Sequence, residues 1–125
     1  EKGKALKLGM PLPRYIANRI LSYIDRMILR KNLSEFHTGF RIYSRKFNNI
    51  DQDNFSDDYL FSFQIIAYAV ANNFNVDEIP VDCDYNSEHT SHSYLGASKY
   101  AIAHFLVLIW FILFKYLKIK RSIFK

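Results

Sequence analysis

Between Ala101 and Phe114 the chain carries no Lys, Arg, Asp or Glu, and His104 is the only polar side chain in the run. A run this apolar does not stay in water. It forms either a helix buried in a core or a helix laid into a membrane. As a helix the run spans about 21 Å, short of the roughly 30 Å hydrocarbon layer. Trp110 and Tyr116 stand near one end, followed by Lys115, Lys118, Lys120, Arg121 and Lys125. That grouping resembles an interfacial anchor beside anionic headgroups. The element predicted is a helix from about Tyr94 to Lys118, tilted and partly embedded. The other reading is a helix buried on its own domain or on a preceding half.

The rest of the chain sets the class. Its 125 residues suffice for one domain with a modest core. Hydrophobic residues make up 50% and aromatics 17%, which argues for a packed protein. A net charge of +5 suits nucleic acid, anionic lipid or phosphorylated small molecules. The aromatics sit in apolar runs and are not interleaved with basic residues, so nucleic acid is not expected as a partner. Cys83 is alone, which leaves no internal disulfide and no cysteine-based zinc set, and fits a reducing compartment. The chain opens at Glu1 without a signal-peptide pattern, in what reads as the middle of a loop, and the expectation is a piece of a longer protein.

In chain order, residues Glu1 to Leu12 carry three lysines and no apolar period, and read as a basic loop. Pro13 suits a first helical turn. Ile16, Ile20, Ile24 and Ile28 then predict an amphipathic helix of about 18 residues, with the isoleucine stripe as its packing face and Asn32 as its stop. The alternation after Gly39 predicts a short strand through Phe40 and Ile42. Lys46 to Asp58 is a polar segment. Asp51-Gln52-Asp53 within it reads as a solvated loop, since Ser56 and Ser62 stand where a calcium loop needs Gly and Glu. Tyr59 to Val70 predicts a central helix that ends at Asn72-Asn73. Val76 to Tyr85 predicts an edge strand, because Pro80 cannot donate to a ladder. Asn86 to Ser93 is a loop, and His89 with His92 fall short of a zinc set.

The densest chemistry lies in Ser34-Glu35-Phe36-His37-Thr38-Gly39-Phe40-Arg41-Ile42-Tyr43-Ser44-Arg45. Gly39 lets the backbone take a positive φ or lets a ligand come close. Polar groups delivered by a turn at a strand end are a common way to build a site. The bland reading is a turn, a strand and two solvated arginines. Ser56, Asp57 and Asp58 precede the central helix, where carboxylates cap and oppose the positive helix end. They equally suit a general base or a hold on a divalent cation. Both readings stay open.

The run Leu33 to Arg45 resembles the signature of the C-terminal half of family 2 glycosyltransferases, near the dolichyl-phosphate mannose synthase group. Gly9-Met10-Pro11-Leu12-Pro13, Ser56-Asp57-Asp58-Tyr59, Phe61 with Gln64, and Glu78-Ile79-Pro80-Val81 resemble further family pieces in the family's order, up to about Tyr100. The resemblance implies an α/β fold, the C-terminal part of a GT-A-like (Rossmann-like) domain with a C-terminal apolar helix, incomplete as a domain. Residues 1–100 would be the acceptor-side part, and residues 101–125 an apolar, basic, membrane-associating helix. The implied activity is transfer of a sugar from a nucleotide sugar, with inversion, to a lipid-phosphate or other acceptor, polyprenyl phosphate being favoured. It implies Asp57 and Asp58 as catalytic residues and Glu35, His37, Thr38, Gly39, Arg41 and Ser91 as substrate-binding residues. A divalent cation, Mg or Mn, is implied, held mainly by an Asp-x-Asp in the absent N-terminal half, and no metal ligand is assigned in this stretch. The implied place is the cytoplasmic face of a membrane, peripheral or anchored at the C-terminus. Without the donor-binding half, the 125 residues alone are expected to be inactive or nearly so. Two departures stand out: Glu88 replaces an expected basic residue, and Ser62 and Gln64 stand where relatives carry an acid. The competing expectation is a basic membrane-surface binding module with no chemistry.

Overall fold

A computed structural model describes residues 4–7, 9–37, 40–81, 94–119 and 121–124. A short helix, α1 (Lys4–Lys7), precedes α2 (Leu12–Leu29). Two 3₁₀ turns follow, Arg45–Asn49 and Gln52–Asn54. Then come α3 (Leu60–Ala71), α4 (Tyr94–Leu117) and a last 3₁₀ turn, Ser122–Phe124.

The described residues hold no strand, which overturns the expected α/β, GT-A-like (Rossmann-like) architecture. Phe40 and Ile42 are 62% and 79% exposed, so the predicted strand has its alternation but no sheet to bury it. A strand outside a ladder leaves its backbone groups to water and gains no cross-strand packing. The stretch from Val76 to Val81 likewise lies outside regular structure, and positions 82–85 of that predicted strand lie outside the described residues. The helical predictions fare better. Tyr59–Val70 is realised as α3, and Tyr94–Lys118 as α4, within a residue at each end. The opening basic loop is interrupted by α1.

α2 starts on Pro11 and Pro13, where a missing N–H costs nothing. It stops at Arg30, which takes the left-handed conformation with φ 52°. Its buried face is Ser22, Asp25 and Leu29 and not the isoleucine stripe. Ile24 and Ile28 pack partly on the core, whereas Ile16 and Ile20 stand exposed. α3 is buried on most faces and forms the centre, as its near-continuous apolar sequence requires. α4 lies against it through Val107, Leu108 and Phe111, at helical spacing. Phe124 folds back to close that core, stacked on Phe114 at 5.4 Å. α4 ends in a left-handed turn at Lys118, φ 59°, whose N–H donates to Phe114 O at 3.2 Å while Ile119 N–H donates to Leu113 O at 3.1 Å.

α4 therefore has two faces. His104, Val107, Leu108 and Phe111 are buried, while Ile102, Phe105, Leu106, Ile109 and Ile112 are exposed. The stretch Ser98–Leu117 is long and apolar enough to cross a membrane by length and composition.

Candidate functional site

Asp25 is the only acid in α2, and it sits on the face turned inward. A buried carboxylate needs charge or hydrogen-bond partners to offset lost hydration. Two imidazoles supply them. His104 Nε2 lies 2.8 Å from Asp25 Oδ1, and His37 Nε2 lies 3.1 Å from Asp25 Oδ2. Asp25 and His104 are 0% exposed, and the His37 side chain is 9% exposed. His104 comes from α4. Tyr100, one turn earlier on the same face, places its hydroxyl 2.9 Å from His37 Nδ1. Phe63 of α3 closes the cluster, stacked on His37 at 5.8 Å and tilted against His104 at 4.2 Å.

Three helices and the run after α2 thus meet at one carboxylate. Burial works to raise the Asp25 pKa, but the hydrogen bond to His104, the close approach of His37 and the charges of both imidazoles outweigh it and leave it lowered. Burial pushes the Tyr100 hydroxyl up to about 12, with the charge of Asp25 adding to it and Arg41 opposing. Glu35 and Asp58 also act on Tyr100 in the raising direction. Burial lowers the Arg41 guanidinium, partly offset by Tyr43, Tyr100 and Glu35. Several buried polar atoms have no hydrogen-bond partner among the described residues: Ser22 Oγ, Asp25 Oδ2, His37 Nε2, Arg41 Nε and His104 Nδ1.

The structure gathers part of the set expected from sequence. Glu35 Oε1 accepts from the His37 backbone N–H at 2.8 Å and so shapes the turn that carries His37. Arg41 Nη2 donates to Phe36 O at 2.8 Å, which folds the run back on itself. Asp58 Oδ1 accepts from Leu60 N at 2.9 Å, at the start of α3, while Asp57 is exposed. Thr38, Gly39 and Ser91 lie outside the described residues, as do Cys83, Glu88, His89 and His92. Asp51 accepts from Asp53 N at 3.3 Å and from Asn54 Nδ2 at 2.7 Å, closing its own exposed turn. Gln64, at one of the departures, is buried and bonds Ser56 through both ends of its amide.

Asp25, Tyr100 and His104 were not anticipated as site residues. Their signal was present: one acid in an amphipathic helix and one imidazole in an apolar run, each needing a buried partner that the other supplies. The chain matches no protein-family model, no curated protein and no solved structure.

Proposed function

We propose that the chain is the acceptor-side part of an inverting glycosyltransferase that draws on a nucleotide sugar. It would work at the cytoplasmic face of a membrane, on polyprenyl phosphate or a similar lipid-phosphate acceptor. The observation that carries the reading is the convergence on Tyr100. His37 bonds its hydroxyl, and the charges of Glu35, Arg41 and Asp58 all bear on it. Those residues come from two separate pieces of the family-like pattern, 33–45 and 56–59, and all act on Tyr100. The reading rests on residue types and proximity and does not lean on a sheet.

A phosphate acceptor is already ionised near neutral pH. Its oxygen attacks the anomeric carbon, the bond to the nucleoside diphosphate breaks, and the centre inverts. Arg41 suits the acceptor phosphate, since a guanidinium matches phosphate geometry and its Nε has no partner among the described residues. Asp58 would position the acceptor and not deprotonate it. The Mg or Mn ion that the resemblance implies wants oxygen ligands. Asp51 is spent on its turn, Asp58 on Leu60 N–H, and the buried cluster offers two nitrogens to one carboxylate. The described residues do not fit such an ion, and no step is routed through it.

The test uses the product of the whole gene, with any sequence that precedes Glu1. It is offered a panel of nucleotide sugars, polyprenyl phosphate and Mg or Mn. Sugar transfer is expected, and Asp58→Asn is expected to cut turnover by about 10² through lost positioning of the acceptor, with Asp57→Asn as its control. The absence of both transfer and hydrolysis with every donor defeats the reading.

The second reading, a membrane-surface module without chemistry, is favoured by the exposed apolar face of α4. Its polar rim includes Arg121, whose guanidinium lies 3.9 Å over the Trp110 ring. Ile102→Glu with Ile109→Glu should release the chain from anionic vesicles without unfolding it. Unchanged co-flotation of that variant removes this face from membrane binding.

A further inference from the structure

Asp25, His37 and His104 hold their donor atoms within 4.8 Å of one another. Asp25 Oδ1 is 2.8 Å from His104 Nε2, and Asp25 Oδ2 is 3.1 Å from His37 Nε2. Ligands at about 2.0–2.2 Å from a zinc-class ion in a tetrahedral set lie about 3.3–3.6 Å from each other. The two Asp25 contacts are a little tighter than that spacing and all three donor atoms fall within 4.8 Å, so small side-chain adjustments bring them onto one ion.

Orientation is a second, independent observation. Asp25 Oδ2 and His37 Nε2 are buried and at contact distance, yet neither makes a hydrogen bond to the other or to any described residue. A proton shared between them would need the two atoms head-on. Two ligand atoms 3.1 Å apart with no well-aligned hydrogen bond between them are compatible with adjacent positions around one ion. The remaining ring nitrogen of His37 is tied to Tyr100 Oη at 2.9 Å. With Nδ1–H donating there, Nε2 presents its lone pair to the cluster, which is how an outer partner orients a ligating imidazole. His104 Nδ1 has no such partner among the described residues, so His37 is the better oriented of the two.

We propose that Asp25, His37 and His104 bind one divalent transition-metal ion of the zinc class, with a coordination position left open. Two imidazoles and a carboxylate suit Zn, Co or Fe(II), whereas Mg and Ca prefer all-oxygen sets. The Phe63 ring against both imidazoles gives the site an apolar wall, and a cation there compensates a carboxylate that has lost its water. The three ligands come from α2, the run after it and α4, so the ion would fasten the chain's first third to its last helix. This inference is independent of the glycosyltransferase reading.

The experiment strips the purified 125-residue chain with a chelator and titrates it with Co²⁺. The expected result is one Co²⁺ per chain with visible ligand-field absorption, displaced by Zn²⁺ and not by excess Mg²⁺. Asp25→Asn and His37→Gln should each weaken Co²⁺ binding at least about tenfold. A His89→Gln/His92→Gln double variant, which removes the other two histidines, should keep it. Should a ligand variant fail to fold, the wild-type Co²⁺ form still decides: paramagnetically shifted ring protons must come from His37 and His104. The proposal is overturned if the folded wild-type chain takes up no Co²⁺. Binding that survives both ligand variants overturns it as well, and so does binding that disappears with His89 and His92.

Discussion

Asp25 lies in the middle of α2 with no exposure and an imidazole beside each oxygen, whereas Asp57 and Asp58 stand in solvent at the start of α3. The buried carboxylate draws its partners from 12 and 79 positions along the chain, a count taken from His37 and His104. Asp58 reaches two residues forward, to Leu60 N–H. One therefore ties distant elements together, and the other finishes a local turn. An exposed carboxylate can be satisfied by water and by its own backbone. A buried one commits the fold to whatever neutralises it.

The largest expected effect tests that commitment. Asp25→Ala should destabilise the chain by about 3–5 kcal/mol, because it leaves two imidazoles buried without their carboxylate. Urea unfolding followed by circular dichroism reads the loss. Replacing the fully buried pair, Asp25→Leu with His104→Leu, should recover part of it, since a pair exchanged for apolar groups of similar size is often neutral while His37 keeps only its Tyr100 bond. A loss below about 1 kcal/mol for Asp25→Ala would mean that the cluster does not hold α2 on α4.

A middle-sized effect concerns the far end of α3, where the closing group again comes from a distant element. Lys115 Nζ donates to Val70 O at 3.4 Å, Ala71 O at 3.2 Å and Asn73 Oδ1 at 2.8 Å. A cation at the last carbonyls also complements the helix dipole. Lys115→Met keeps the length of the side chain and should cost about 1.5–3 kcal/mol, the range for hydrogen bonds to a charged group. The Tm of the variant checks it. An unchanged Tm would make α3 self-sufficient at its C-terminal end and confine long-range fastening to Asp25.

The helices were legible in the sequence because their signals are local. Pro13, the apolar block from Leu60 to Val70 and the Asn72-Asn73 stop mark boundaries within a residue or two. The strands were misread because a strand is a property of a pair, and the alternation at Phe40 and Ile42 carries no information on whether a partner exists. The face of α2 was misread for a related reason. Its isoleucines outvote Ser22 and Asp25 on hydrophobicity, but the buried face is the one that meets His104. For the site, the run from Ser34 to Arg45 pointed to His37, and the structure supplied the carboxylate behind it. No spacing rule links position 25 to position 104. That pairing is fixed only when α4 returns across α2, so only the need for a partner, and not its address, was written locally.

The smallest expected effect lies in the exposed pair and separates its members. Asp58→Ala removes the oxygen that accepts from Leu60 N–H and should cost about 1 kcal/mol, the usual loss for an N-terminal capping group. Asp58→Asn retains an acceptor of the same reach, and Asn caps about as well as Asp, so the change in stability should be close to zero. Asp57 makes no described hydrogen bond through its side chain and is exposed, so Asp57→Asn should stay within about 0.5 kcal/mol. The three variants, unfolded side by side in urea, give an order: Asp58→Ala below the other two, which match wild type. If Asp58→Asn falls as far as Asp58→Ala, the loss belongs to the negative charge and not to the acceptor. Asp58 would then be held through its charge as well as its acceptor oxygen, and the contrast with Asp25 would narrow from kind to degree.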